Sequence, residues 1–137
     1  MKVQCCIAGG GPAGMMLGFL LARSGVNVLV LEKHSDFLRD FRGDTVHPST
    51  LEVIHELGLL DDFLQQPHDK VEQVKLFVED ESIDVGDFRY LSTKCKFVAF
   101  MPQWNFLNFL AKHAKKLPNF QLIRDAKVTE LVKDSQA

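Results

Sequence analysis

The 137-residue sequence is short of several things, and each shortage closes off a class of protein. Three cysteines, with Cys5 beside Cys6 and Cys95 far away, make neither a disulfide framework nor a CxxC metal or redox site. Cys5 and Cys6 alternate across a strand and are expected to be small apolar core residues in a reducing compartment. Charge of one sign is also missing: 16 Lys and Arg stand against 18 Asp and Glu, a formal net charge of −2. Nothing basic enough for a nucleic-acid partner is present. A glycine turn interrupts the apolar N-terminal stretch, so it reads as neither signal peptide nor membrane span. These absences fit a cytoplasmic protein without a membrane partner. Internal repeats and low-complexity tracts are lacking too. Tyrosine and tryptophan occur once each while phenylalanine occurs 11 times, which points to heavy aromatic packing in this or a larger core.

What is present is concentrated in the first thirty-three residues. An apolar stretch, Val3 to Ala8, runs into Gly9-Gly10-Gly11-Pro12-Ala13-Gly14. A helical stretch through Gly18 to Arg23 follows, then Ser24-Gly25, the apolar run Val26 to Leu31, and Glu32. Strand, glycine turn, helix, strand, acid is the order of a dinucleotide-binding βαβ unit, placed here at residues 1–33. Gly9 is expected to permit the tight turn, and Gly11 to let the backbone approach a pyrophosphate where a Cβ would clash. Gly14 and Gly18 bring the helix close to the strands, and Gly25 ends it in a left-handed conformation. The helix N-terminus offers free N–H groups and partial positive charge to phosphate, and Glu32 can accept from a ribose hydroxyl.

The rest of the chain reads as one α/β domain over residues 1–137. Lys33 to Thr45 is a polar loop. A helix starts at Pro48 or Ser49, with Ser49-x-x-Glu52 at capping-box spacing and Leu51, Ile54, Leu57 and Leu60 as its apolar stripe. Val71 to Val78 and Ile83 to Val85 are expected to form a small antiparallel insert, and Phe97 to Met101 another strand. Pro102-Gln103 opens a helix ending near Lys116, and Phe120 to Ile123 and Ala126 to Val132 follow as strands. The expected fold is Rossmann-like, with a mostly parallel sheet, a small antiparallel insert and an incomplete C-terminal end.

No Ser/His/Asp, Cys/His or paired-carboxylate arrangement can be assembled, so no catalytic residue and no metal ligand is assigned. Glu52-x-x-His55 has the spacing of a carboxylate-bridged metal helix, but such sites need several helices. Glu52, His55 and Glu56 therefore read as a solvated face. Arg42 is either a cation near a nucleotide pyrophosphate or an ordinary loop charge. Gln103, at a helix start after an apolar strand, either faces a ligand or serves the helix terminus.

Taken together, Gly9 to Gly14, Gly18, Gly25, Glu32-Lys33, Phe41 to Leu51 and Met101-Pro102-Gln103 occur in an order that resembles a known family. The sequence is similar to the N-terminal part of FAD-dependent aromatic-ring monooxygenases, the para-hydroxybenzoate hydroxylase-like flavoproteins. The resemblance implies that Gly9, Gly11 and Gly14, with Pro12 and Ala13 in the same turn, lie on the FAD pyrophosphate. It places Glu32 on the adenosine ribose and Lys33 close to the adenine. Arg42 would reach the pyrophosphate–ribityl region, and Gln103 the ribityl side. It further implies NAD(P)H as reductant and hydroxylation of a small aromatic substrate by a flavin hydroperoxide. The family's later Asp-Gly and Gly-Asp motifs and its substrate-covering sheet do not occur here, so the chain reads as truncated and not catalytically competent alone. Competing readings are a non-catalytic nucleotide- or partner-binding remnant and an NAD-dependent dehydrogenase fragment. Neither the oligomeric state nor the substrate is legible.

Overall fold

The computed structural model describes residues 2–38, 44–79 and 81–132. In chain order the elements are β1 (Cys5–Ala8), α1 (Pro12–Arg23), β2 (Val28–Leu31), β3 (Thr45–Val46), α2 (Pro48–Glu56), α3 (Leu60–Leu64), β4 (Asp69–Val71), β5 (Gln73–Val78), β6 (Glu81–Asp87), β7 (Val98–Phe100), α4 (Gln103–Ala114) and β8 (Phe120–Ile123). They fall into two compact units, Met1–Leu38 with Phe106–Ala137, and Arg39–Asn105.

The first unit is built on a parallel sheet in the order β1-β2-β8, with Cys5 opposite Val28, Ile7 opposite Val30 and Val30 opposite Leu122. Its apolar face, with Val28, Val30 and Phe120 buried, receives Met15, Phe19 and Ala22 of α1. Gly18 permits the close approach: a Cβ there would lie 2.8 Å from Val30 Cγ2 and 3.1 Å from Phe120 Cε2. The helix ends as its sequence implies, with Gly25 at φ +85° and the Val26 N–H donating to Leu21 O at 3.0 Å. Because Val26 closes the helix, β2 starts only at Val28. Asn119 Nδ2 donates to both Ala22 O and Val26 O at 2.8 Å, tying the entrance of β8 to the end of α1.

Two expectations fail here. Cys6 is exposed, not a core residue, because strand alternation turns it away from the face that α1 covers. Ala126 to Val132 is not a strand. Asp125 takes φ +56° and breaks the extended run, and Leu131 and Val132 are each 80% exposed. One hydrogen bond, Ala126 N–H to Glu32 O at 2.9 Å, continues the line of β8.

The second unit is antiparallel, and it is larger than a small insert. β3, β7 and β4 form one sheet in the order β3-β7-β4, and β5 and β6 form a separate hairpin. The stretch read as one strand from Val71 to Val78 is thus split at Glu72, whose carbonyl accepts from Phe88 N–H at 2.9 Å. Thr45, read as the end of a loop, begins β3.

Helix α2 buries Leu51 and Ile54 as its periodicity requires. Its capping box does not form. Pro48, which has no N–H to satisfy, occupies the first turn after His47, and Glu52 Oε2 accepts instead from Lys94 N–H at 2.7 Å. Among the described residues, no helix is long and apolar enough to cross a membrane.

Candidate cofactor site

The site lies where β1 hands over to α1. Gly9 sits at φ +111°, a conformation that side chains rarely adopt, and its N–H donates to Leu31 O at 2.8 Å. Helix α1 begins with Gly11 as its cap residue and Pro12 in the first turn, and it has no side-chain cap and no acid there. The Met15 N–H is the first to be taken up along the helix, by Gly11 O at 2.9 Å. Pro12 has no N–H. The N–H groups of Gly11, Ala13 and Gly14 meet no acceptor among the described residues. Free amides at the positive end of a helix dipole suit an anionic ligand.

The glycines serve different ends. A Cβ on Gly14 would lie 2.0 Å from Gly9 O, so Gly14 is required by the fold itself. Gly11 is not. Its φ of −74° and ψ of −177° suit any residue, and nothing lies within 4 Å of a Cβ built on it. Neither backbone strain nor packing among the described residues requires a glycine there.

Glu32, one residue past β2, is the one buried charged side chain among the described residues, at 2% exposure. Its Oε2 accepts from Gly10 N–H at 2.7 Å and its Oε1 from His34 N–H at 3.0 Å. Such bonds fix the direction of the carboxylate. Lys33 is exposed beside it.

In the second unit, Gln103 is the first residue of α4 and is half-buried. Its backbone N–H donates to Asp44 Oδ1 at 3.3 Å, and Met101 N–H donates to Asp44 O at 2.9 Å. No bond occupies the Gln103 side-chain amide among the described residues, so the helix-terminus reading belongs to its backbone alone. Arg42 lies outside the described residues. No group of three or more His, Cys, Asp or Glu that could hold a metal occurs among those described.

A family model described as FAD binding domain matches residues 2–137. The chain belongs to this FAD-binding family. Its relatives include the 6-methylpretetramide 4-monooxygenase of Streptomyces rimosus, 28% identical over 129 residues, which cover 94% of this chain and 31% of that protein. The aromatic compound monooxygenase YhjG of Bacillus subtilis is 30% identical over 137 residues, covering 100% of this chain and 26% of YhjG. Among solved structures, p-nitrophenol 4-monooxygenase PnpA from Pseudomonas putida superposes with a TM-score of 0.81 at 28% identity, over 95% of this chain and 33% of that one. The chain therefore spans about a third or less of the length of these relatives.

The first unit presents an open turn at Gly11, three N–H groups that meet no acceptor among the described residues and a buried carboxylate on adjoining strand ends, an arrangement that fits such a cofactor. Sequence reasoning missed the supporting residues. The Gly10 amide aims Glu32, and a Cβ on Gly10 would lie 2.9 Å from Glu32 Cβ. Asp44 seats the start of α4, and Asn119 pins the far end of α1. The middle place in the Gly9-Gly10-Gly11 run is the one local signal for Gly10. Asp44 and Asn119 act over 59 and 97 residues of sequence, and no local pattern announces them.

Proposed function

We propose that the first unit holds the ADP half of FAD, as the N-terminal portion of an FAD-binding domain. Gly9, Gly11, Pro12, Ala13 and Gly14 form the pyrophosphate cradle, with the N–H groups of Gly11, Ala13 and Gly14 donating to phosphate oxygens. Glu32 accepts from the adenosine ribose, and Lys33 lies toward the adenine. Arg42 serves the pyrophosphate–ribityl region, and the free Gln103 amide serves the ribityl chain. The observation that carries this reading is the space at Gly11 beside three amides, both unfilled among the described residues.

Bound FAD would supply redox and oxygen-transfer chemistry, for which the protein provides binding, orientation and shielding from water. In a polypeptide as long as the relatives, that chemistry would be NAD(P)H-dependent hydroxylation of a small aromatic molecule in the cytoplasm. The 137 residues hold the cofactor without completing that reaction. Titration of the purified chain with FAD tests the binding step. Quenching of flavin fluorescence, with flavin absorbance retained after gel filtration, is expected. Unchanged fluorescence across the titration would refute it. A chain that takes NAD in preference to FAD would support the dehydrogenase alternative instead.

A further inference from the structure

Asp44 and Gln103 stand 59 residues apart in sequence and meet where the start of β3 lies beside the end of β7. The ladder there pairs Thr45 with Phe100 and Val46 with Ala99, and the bond from Met101 N–H to Asp44 O at 2.9 Å carries it one step further. That bond belongs to the backbone, so any residue at position 44 would accept it. The Asp44 side chain has a separate task. Its Oδ1 accepts from the N–H of Gln103, the first residue of α4, at 3.3 Å. Pro102, just before that residue, has no side-chain acceptor with which to cap the helix. The bond is long, and negative charge at the positive end of the helix adds to it.

The first turn of a helix frays where its N–H groups find no acceptor. Farther along α4, Phe106, Leu107 and Leu110 are buried and hold the helix in place, whereas Gln103 and Trp104 are only half-buried. Asp44 holds the first turn from another element. Because it takes the backbone N–H of Gln103, the side-chain amide, which no described group bonds, is left for a ligand. A long side chain loses less freedom on binding when its Cα is already fixed.

We infer that Asp44 is a positioning residue for the cofactor: its carboxylate fixes the start of α4 so that the Gln103 amide meets the ribityl chain. The inference rests on the FAD reading of the site and adds to it a residue that acts through Gln103 without touching the cofactor. The ADP half, which falls to the glycine turn and Glu32, does not depend on Asp44.

The test titrates the intact chain with FAD and, separately, with ADP, in the parent, Asp44→Ala, Asp44→Asn, Gln103→Ala and the double variant Asp44→Ala/Gln103→Ala. One hydrogen bond lost from the ribityl chain should raise the Kd for FAD about three- to tenfold, in Asp44→Ala and in Gln103→Ala alike. The Kd for ADP should stay within about twofold of the parent in every variant. Asp44→Asn keeps an oxygen that can accept from Gln103 N–H and should bring FAD affinity back to within about twofold of the parent. The double variant should lose no more than Gln103→Ala alone, because no amide is left to position. Losses that add in the double variant would make Asp44 a ligand in its own right. A fall in ADP affinity matching that for FAD would make it a support of the fold. Either result overturns the inference, as does unchanged FAD affinity in Asp44→Ala, and all three leave the proposed function standing so long as the parent binds FAD. A parent chain that does not bind FAD refutes the proposed function and this inference together.

Discussion

Gly11→Leu separates a glycine needed by the fold from one needed by a ligand. The backbone at Gly11 has φ −74°, which leucine adopts without strain, and a Cβ there meets no described atom beyond its chain neighbours within 4 Å. The cost to folding is limited to a poorer helix cap, about 1 kcal/mol or less. Binding should respond very differently. A side chain over the turn excludes the pyrophosphate from the N–H groups of Gly11, Ala13 and Gly14, which no other described group occupies. Hydrogen bonds to a charged partner contribute about 1.5–3 kcal/mol each, so losing two removes roughly 3–6 kcal/mol. At 1.4 kcal/mol per factor of ten, the Kd for FAD should rise at least about 100-fold. Fluorescence titration with FAD, run beside thermal unfolding by circular dichroism, measures both quantities on one sample. Glu56→Ala, on the exposed face of α2, serves as control. A Gly11→Leu protein that binds FAD within about threefold of the parent would refute the cradle. So would a loss of several kcal/mol in stability, because it would show that the space at Gly11 is needed by the fold.

Other substitutions test neighbouring parts of the same structure. Gly14→Ala places a Cβ against Gly9 O and should lower both stability, by about 1–3 kcal/mol less the gain in helix propensity, and FAD affinity; unchanged melting with unchanged binding would contradict the packing at this turn. Glu32→Gln turns an amide toward either Gly10 N–H or His34 N–H, leaving two donors facing each other, and should weaken FAD binding about 10-fold or more by titration. Asp87 has its carboxyl held well below the usual carboxylate range, chiefly by hydrogen bonds from the Arg89 side chain. A depressed folded pKa gives stability that is present above the unfolded value near 4 and lost as the pH falls toward the folded one. Protection of the hairpin amides relative to their intrinsic exchange rate should therefore fall below about pH 4, and Asp87→Asn should remove that dependence. Burial pushes the Cys95 thiol up, so a thiol reagent at pH 8 should label exposed Cys6 promptly and Cys95 only after denaturation, as peptide mapping would show.

How much could be read without coordinates follows the range of the forces involved. Local backbone requirements leave local marks. Gly9, Gly14, Gly18 and Gly25 each answer a turn, a close approach or a helix end within a few residues or one helix–strand contact, and all four were legible. Glu32 was legible because a lone acid after an apolar strand is a local contrast. The sequence also read Gly11 as a ligand glycine, and the open space around it accords with that reading. Pairing, by contrast, depends on partners far along the chain. The split between β4 and β5 at Glu72 follows from Phe88, and the bond that takes Glu52 away from its capping box comes from Lys94. Ala126 to Val132 has the apolar pattern of a strand, but a pattern supplies no partner, and the turn at Asp125 takes the segment out of the ladder.

By itself the sequence determined the βαβ unit and the chemistry of its turn, because glycines without a Cβ, a helix start without a cap and an acid after a strand act where they stand. It also carried the family, since the order of motifs from Gly9 to Gln103 resembles it and the FAD binding domain model matches residues 2–137. Only the tertiary structure decided that the antiparallel part is a sheet plus a separate hairpin, that Cys6 faces outward, that Gly10 and His34 orient the Glu32 carboxylate, and that Asn119 pins the end of α1. Those outcomes rest on which strand lies beside which. That choice is made by burial and backbone pairing summed over the whole chain.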